Sequence, residues 1–279
     1  MVRIGESMLK SRPVRRQFTR VIIRTIEAQC ELRGASVELR ASGGIIFVHG
    51  DEDSVIEDAL QHSFGVYAVD PYTDLEPSPE AVAIAALEEN QNPSGSFAVR
   101  CKRHGEKGNW TSQIFAAEVG SSVLERVELK VNLSEPDWQI RVALFPDNAR
   151  LLGARFHGPG GLPIGVQGIV DAQLDCELDI LSAWLMMHRG CRINPLSDTP
   201  EILKQWDPAL ASPDMARRFR SGPAQREGIE SWGIVGHRID NAPTSVSTED
   251  DVLVPIANLE PLVGWSEEEI ANLRMKVFS

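Results

Sequence analysis

Val14-Arg15-Arg16-Gln17-Phe18-Thr19-Arg20-Val21-Ile22-Ile23-Arg24-Thr25-Ile26 divides into two faces when wound as a helix. Val14, Phe18, Val21, Ile22 and Ile26 recur at helical spacing, and Arg16, Arg20 and Arg24 recur every four residues on the other side. The pattern predicts a helix from Val14 to Cys30. Before it, Val2 and Ile4 mark a short strand. After it, Val37-Glu38-Leu39-Arg40 and Ile45-Ile46-Phe47-Val48 flank Ser42-Gly43-Gly44, which reads as a hairpin turn. Asp51 to Ser63 is a second helix, whose acidic first turn suits the helix dipole. Gly65-Val66-Tyr67-Ala68-Val69 closes the unit as a strand.

Strand, helix, strand, strand, helix, strand is the ferredoxin-like split βαβ arrangement. Pro71 to Pro79 reads as a loop and Pro79 to Asn90 as a helix. Phe97-Ala98-Val99-Arg100-Cys101 is a strand that runs into the polar loop Lys102-Arg103-His104-Gly105-Glu106-Lys107-Gly108. Ser112–Val123 is a helix, and Trp138–Phe145 with Arg150–Phe156 forms a hairpin around Asp147-Asn148. Gly158-Pro159-Gly160-Gly161-Leu162-Pro163-Ile164-Gly165 is too rich in Gly and Pro for regular structure. In the last third, Leu178–His188 is an apolar helix. Ser231–Val235 and Val252–Ile256 look like buried strands, and Ser266-Glu267-Glu268-Glu269 opens a final helix as a capping box. Prolines at 200, 208, 213 and 223 break the stretch between Ser197 and Glu227. The expected class is α/β (α+β) in three domains, over residues 1–70, 71–165 and 166–279.

Charge is spread unevenly along these 279 residues, whose net charge is −12. Residues 1–40 carry nine basic and four acidic side chains, whereas residues 41–95 carry eleven acidic and no basic ones. Residues 96–165 return to +2 and residues 166–279 fall to −8. The total argues against a general nucleic-acid binder, yet a polyanion can still be held at the two basic blocks. Cys30, Cys101, Cys176 and Cys191 stand alone, so neither a zinc knuckle nor a disulfide framework is indicated. No apolar run is long enough for a membrane span, and the start Met1-Val2-Arg3-Ile4-Gly5 has no apolar signal region. The expected location is the cytoplasm.

The segment Gly5-Glu6-Ser7-Met8-Leu9-Lys10-Ser11-Arg12-Pro13-Val14-Arg15-Arg16-Gln17-Phe18 resembles the N-terminal ferredoxin-like domain of tRNA 4-thiouridine synthetases, the ThiI-like family. Phe97–Arg103, Trp110-Thr111-Ser112, and Gly158–Gly165 with Gln167 resemble that family's THUMP domain. Leu185-Met186-Met187-His188-Arg189-Gly190-Cys191-Arg192 and the stretch from Val252 to Leu273 resemble parts of its PP-loop domain. The resemblance implies tRNA as partner, held at its acceptor stem and single-stranded CCA end. It also implies a third domain of adenylating type.

The residues fit the first role. Lys10, Ser11 and Arg15 sit where the first helix begins, and Arg16, Arg20 and Arg24 continue along it. Arg100, Lys102, Arg103, Lys107 and Arg155 supply further cations, while Gly160 and Gly161 permit close approach of a backbone to RNA. Phosphate contacts of this kind give affinity without reading sequence. Taken singly, a basic stripe is usually a solvated face, a Gly/Pro run a connector, and aromatics such as Trp110 and Phe115 core.

The departure from the family lies at the PP-loop pattern Ser-Gly-Gly-x-Asp-Ser. Ungapped counting from Gly165 puts Asp175-Cys176-Glu177-Leu178-Asp179-Ile180 on it, so both glycines are replaced and only Asp179 survives. Small residues are needed there for backbone N–H groups to wrap pyrophosphate, and two added carboxylates oppose it. No cysteine follows Cys191, and about 60 residues separate it from Val252, so the domain reads as degenerate and shortened. Asp171, Asp175, Glu177 and Asp179 could bind a divalent ion. A solvated strand or turn is the commoner use of such a set, so no metal and no cofactor are expected. Three readings stay open. The first is a tRNA-binding protein without adenylation that serves a tRNA-modifying enzyme or sulfur carrier, with a homodimer allowed. The second is an active tRNA sulfurtransferase that uses other residues or a partner subunit. The third is a protein-interaction scaffold.

Overall fold

The computed structural model describes residues 1–5, 10–106, 108–220, 231–236, 245–247 and 253–278. Lys107, Glu6–Leu9 of the family-like segment, and Val252 lie outside the described residues. In chain order the first module is β1 (Val2–Ile4), α1 (Arg12–Leu32), β2 (Glu38–Ser42), β3 (Ile45–His49), α2 (Asp53–Gln61) and β4 (Val66–Val69). The second is β5 (Tyr72–Leu75), α3 (Pro79–Glu89), β6 (Ser96–Arg103), α4 (Ser112–Leu124), β7 (Lys130–Val131), β8 (Trp138–Leu144) and β9 (Ala149–Leu152). After β10 (Phe156–His157) come β11 (Ile169–Ala172), α5 (Glu177–His188), β12 (Arg192–Pro195), α6 (Glu201–Trp206) and α7 (Pro213–Arg220). Last are β13 (Gly233–Val235), β14 (Ser245–Ser247), β15 (Leu253–Pro255), β16 (Ala257–Leu259) and α8 (Glu267–Phe278).

The expected mixed α/β class holds, and the chain groups into two compact units. One comprises Met1 with Val69–Phe156, the other Val2–Ala68 with His157–Ser279. In the first unit the sheet order is β5-β9-β8-β6-β7, and its core gathers Phe97, Phe115, Val119 and Ile140 beneath α3 and α4. Trp110 packs edge-on against Phe115 with ring centroids 5.5 Å apart, so these aromatics serve the core. Asp70 is wholly buried and takes a fork from Arg155, Nε to Oδ1 at 2.8 Å and Nη2 to Oδ2 at 3.0 Å, together with Arg141. A buried carboxylate demands such pairing.

Three expectations change here. The Pro71–Pro79 loop contains β5, which pairs antiparallel with β9 from Tyr72↔Leu152 to Leu75↔Ala149. Lys102 and Arg103 belong to β6 rather than to a loop, because parallel pairing with β8 continues to Arg103↔Leu144. The segment from Arg150 splits: β9 stops at Leu152, and β10 joins the first-module sheet β10-β4-β1-β3-β2.

In the second unit, α1 packs Phe18, Ile22, Ile26 and Cys30 inward and starts after Ser11 with Pro13 in its first turn. Proline suits that place because its missing N–H would have no intrahelical partner. The hairpin turn is as expected, with Gly43 and Gly44 at φ +59° and +83°. The C-terminal sheet β12-β11-β13-β16 is parallel at every pairing. Its outer strand is Ala257–Leu259, whereas Leu253–Pro255 from the expected buried strand pairs antiparallel with β14 in a separate two-stranded ribbon. Register decides this, because only the later segment places Asn258 opposite Ile234. The capping box of α8 is present: Ser266 N–H donates to Glu269 Oε2 at 2.8 Å and Glu269 N–H to Ser266 Oγ at 3.3 Å.

The Gly158–Gly165 run is irregular, as its composition dictates. Gly161 has φ +72°, and a Cβ there would lie 2.3 Å from the His188 carbonyl oxygen. The close approach the glycine permits is therefore to the chain's own α5. Gly161→Ala should cost about 3 kcal/mol, from left-handed strain plus the clash. Gly34→Ala, at φ +86° with nothing within 4 Å, should cost about 1 kcal/mol. Urea denaturation midpoints check the contrast, and equal losses would refute the packing role.

Candidate nucleic-acid interface

Four guanidinium groups converge at the start of α1. Arg12, Arg15, Arg16, Thr19, Arg20 and Ile23 form one wall of a cavity of about 660 Å³, and the hairpin residues 41–45 form the other. Among the described residues, no carboxylate lines it. Among them too, no ion pair neutralises Arg12, Arg15, Arg16 or Arg20, and the first turn of α1 is free of acidic residues. Like charges around one concavity raise its potential, and an entering polyanion relieves the repulsion. The open side of Gly43, where a Cβ would meet nothing within 4 Å, leaves backbone accessible at the rim.

Lys10 and Ser11 are exposed at the helix entry, and Ser11 makes no side-chain cap. Arg16 and Arg20 are exposed along the helix, as the spacing predicts, and Arg24 continues the stripe. Sequence reasoning missed Arg12 and the turn at Ala41–Gly44. Arg12 was legible, since it stands three and four residues before Arg15 and Arg16 on the same helical face. The turn was not, because a short-range pattern does not report which helix a hairpin meets.

In the other unit, Arg100 and Lys102 alternate with Val99, Cys101 and Arg103 along β6, so the two sets face opposite sides of the sheet. Arg100 also donates to the Leu133 carbonyl. Arg155 is committed to Asp70, so its cation is largely spent inside its own unit. Gly160 and Gly161 belong to the connector beside His188, and Gly160 N–H donates to the Val66 carbonyl at 2.8 Å. The predicted residues thus form a cleft on α1, a basic face on β6 and two structural contacts.

Asp175 and Cys176 lie between the end of β11 and the start of α5, and Glu177–Asp179 form the first turn of that helix. Asp179 Oδ2 accepts the backbone N–H groups of Asp175 at 3.2 Å and Cys176 at 3.1 Å. Two donors of the loop are thereby turned onto an internal carboxylate. Glu177 pairs with Arg274 of α8 at 2.5 Å. A nucleotide crevice in an open α/β sheet lies where strand order reverses, here between β11 and β13. Gly236, just after β13, packs closely on the segment that follows β11, for a Cβ on it would lie 2.1 Å from the Gln173 carbonyl oxygen. Among the described residues no group of three or more His, Cys, Asp or Glu could hold a metal ion.

A ferredoxin-like module, a second α/β module with helices on one face of its sheet, and a parallel α/β sheet define the class of THUMP-domain proteins. The family model for the THUMP domain matches residues 76–152, and that for the ThiI ferredoxin-like domain matches residues 1–69. The chain belongs to the ThiI-like family. It is 31% identical over 207 residues to a probable tRNA sulfurtransferase of Methanobrevibacter smithii, covering 69% of this chain and 51% of the relative. It is 32% identical over 203 residues to the tRNA sulfurtransferase of Pyrobaculum aerophilum, covering 70% and 40% respectively. The chain spans about half the length of the curated relatives it matches. Among solved structures, PH1313 from Pyrococcus horikoshii shares its fold with a TM-score of 0.76 at 24% identity, over 100% of this chain and 98% of that one. A 4-thiouridine synthetase solved with RNA and bound ATP has a TM-score of 0.70 at 20% identity, over 99% and 83%. No helix among the described residues is long and apolar enough to cross a membrane.

The thiols separate by burial. Desolvation pushes Cys30, Cys101 and Cys191 up to about 11, while Cys176 is exposed beside the loop. Because the thiolate is the nucleophile, a thiol-alkylating reagent at mildly alkaline pH should label Cys176 first, roughly tenfold faster than the other three. Peptide mass spectrometry of a brief labelling reads this, and fast modification of Cys30 or Cys191 would contradict the burial described.

Proposed function

We propose that this chain is a tRNA-binding protein of the 4-thiouridine modification type, which holds the acceptor stem and its CCA end without adenylating the tRNA itself. The observation that carries the reading is the carboxylate-free cavity bounded by Arg12, Arg15, Arg16 and Arg20. A concentration of cations in a chain of net charge −12 suits a local polyanion site. Arg100 and Lys102 add a second patch that can meet phosphate. The residues at 175–179 support the reading without adenylation. Asp179 takes two of their amide donors, and Asp175 and Glu177 set negative charge where a pyrophosphate would bring more. A tRNA-modifying enzyme or sulfur carrier is then needed to complete the modification. The names of the relatives favour a second reading, an active sulfurtransferase, and ATP–pyrophosphate exchange separates the two. Exchange should stay at background with tRNA present, and a signal abolished by Asp179→Ala would establish the enzyme instead.

The salt dependence of tRNA binding tests the interface itself. Each of Arg16→Ala and Lys102→Ala should weaken binding and reduce the log–log salt slope by about 0.7–0.9 for every phosphate no longer engaged. Arg217→Ala is the control, because Arg217 lies on α7 and pairs locally with Asp214. Arg218 would be a poor control, since it is tied to Glu27 and Glu31 of α1. A slope that falls for Arg217→Ala and holds for Arg16→Ala would put the RNA on the C-terminal module.

A further inference from the structure

Tyr67 is 56% exposed, more than any tryptophan or phenylalanine among the described residues. Its neighbours in β4, Val66 and Ala68, are fully buried, so the strand turns this one ring outward from a well-packed core. Two features fix and clear the ring. His157 of β10 meets it edge-to-face, with centroids 5.7 Å apart and planes at 81°, and His157 Nδ1 lies 3.2 Å from the Tyr67 carbonyl oxygen. On the flank stands Gly5, where a Cβ would come within 3.2 Å of Tyr67 Cβ and 3.7 Å of ring atoms Cγ and Cδ2. A large side chain at position 5 would crowd the tyrosine, and glycine leaves the space open.

The chain leads from this ring to the basic cleft. Gly5 and Ser11 are close in sequence, so their Cα atoms are separated by at most roughly 20 Å of extended chain. Arg12 and Arg15, which line the cleft, follow directly. An exposed aromatic with a cationic groove within reach of a few nucleotides is the pairing by which proteins hold unpaired nucleic acid. Bases stack on the ring, and the groove follows the backbone. Ferredoxin-like sheets offer an aromatic strand face for this purpose in other RNA-binding modules. We propose that Tyr67, braced by His157 and left open by Gly5, stacks on an unpaired base of the RNA whose neighbouring phosphates meet Arg12 and Arg15. This rests on the RNA-binding reading above and adds to it a site for a nucleobase.

The experiment compares two RNA hairpins, one blunt and one with a 3′ single-stranded overhang, against the full chain and its Y67A and Y67W variants. Y67A should bind the overhang RNA roughly tenfold more weakly, as loss of one stacked base predicts, and the blunt RNA as wild type does. Its salt slope should match wild type, because the phosphate-binding cations are untouched. Y67W should keep the affinity and show added tryptophan quenching by the overhang RNA alone. Unchanged overhang binding by Y67A, an equal loss for the blunt hairpin, or no added quenching in Y67W would each overturn the stacking site. If wild type binds both hairpins while Y67A behaves identically, only this inference fails. If wild type binds neither, the RNA-binding reading fails and this site with it.

Discussion

At Gly160 and Gly161 the backbone takes the left-handed conformation twice in succession, and much of the larger unit is arranged around that turn. Gly65 N–H donates to the Gly160 carbonyl at 2.7 Å, and Gly160 N–H returns a bond to the Val66 carbonyl at 2.8 Å. Leu162 N–H then reaches the His188 carbonyl at 2.9 Å. These bonds lace the start of β4 to the C-terminal end of α5. Behind them Phe64 sits 5.4 Å from both Trp184 and Trp206, in a core shared by the first 68 residues and the C-terminal module. The buried Gln29 amide adds bonds to the carbonyls of His62 and Gln205. A glycine-rich segment that composition marks as a connector is thus a packed seam. Its two positive φ angles exclude other residues without strain.

With Phe18, Ile22 and Ile26 buried, α1 presents Arg12, Arg16 and Arg20 outward. Elsewhere cations find carboxylates: Arg33 meets Asp58, Arg126 meets Glu80, Arg150 meets Asp74, and Arg274 meets Glu177. Exposed pairs of this kind add little stability. Their consequence here is electrostatic. They cancel local fields elsewhere on the surface and leave the head of α1 as a concentrated positive region in an acidic chain.

The C-terminal module is a parallel α/β scaffold whose first helix carries an acidic first turn. Its strands are parallel and the β11-to-α5 turn is in place, which is the frame a phosphate loop needs. Yet the Asp175 and Cys176 amides are engaged by Asp179, and Gly236 lies against Gln173 across the strand-order reversal. Folding requires only that those amides be satisfied, and an internal carboxylate does this as well as a ligand.

From residues alone the ferredoxin-like order, the amphipathic α1, the hairpin at Gly43-Gly44 and the capping box of α8 were all legible. Each rests on short-range periodicity or turn chemistry. The acidic side chains between Asp175 and Asp179 were equally plain, because side-chain identity is read without the fold. Tertiary structure decided the rest. Arg155 reads as a surface cation until Asp70, 85 residues earlier, is seen buried against it. Gly161 reads as a ligand loop until the His188 carbonyl is placed where its Cβ would be. Lys102 and Arg103 read as loop until β8 pairs with them, and Ala257–Leu259 replaces Leu253–Pro255 in the parallel sheet through long-range register. Pairing partners and close approaches distant in sequence leave no periodic trace in the chain, and the folded backbone alone brings them together.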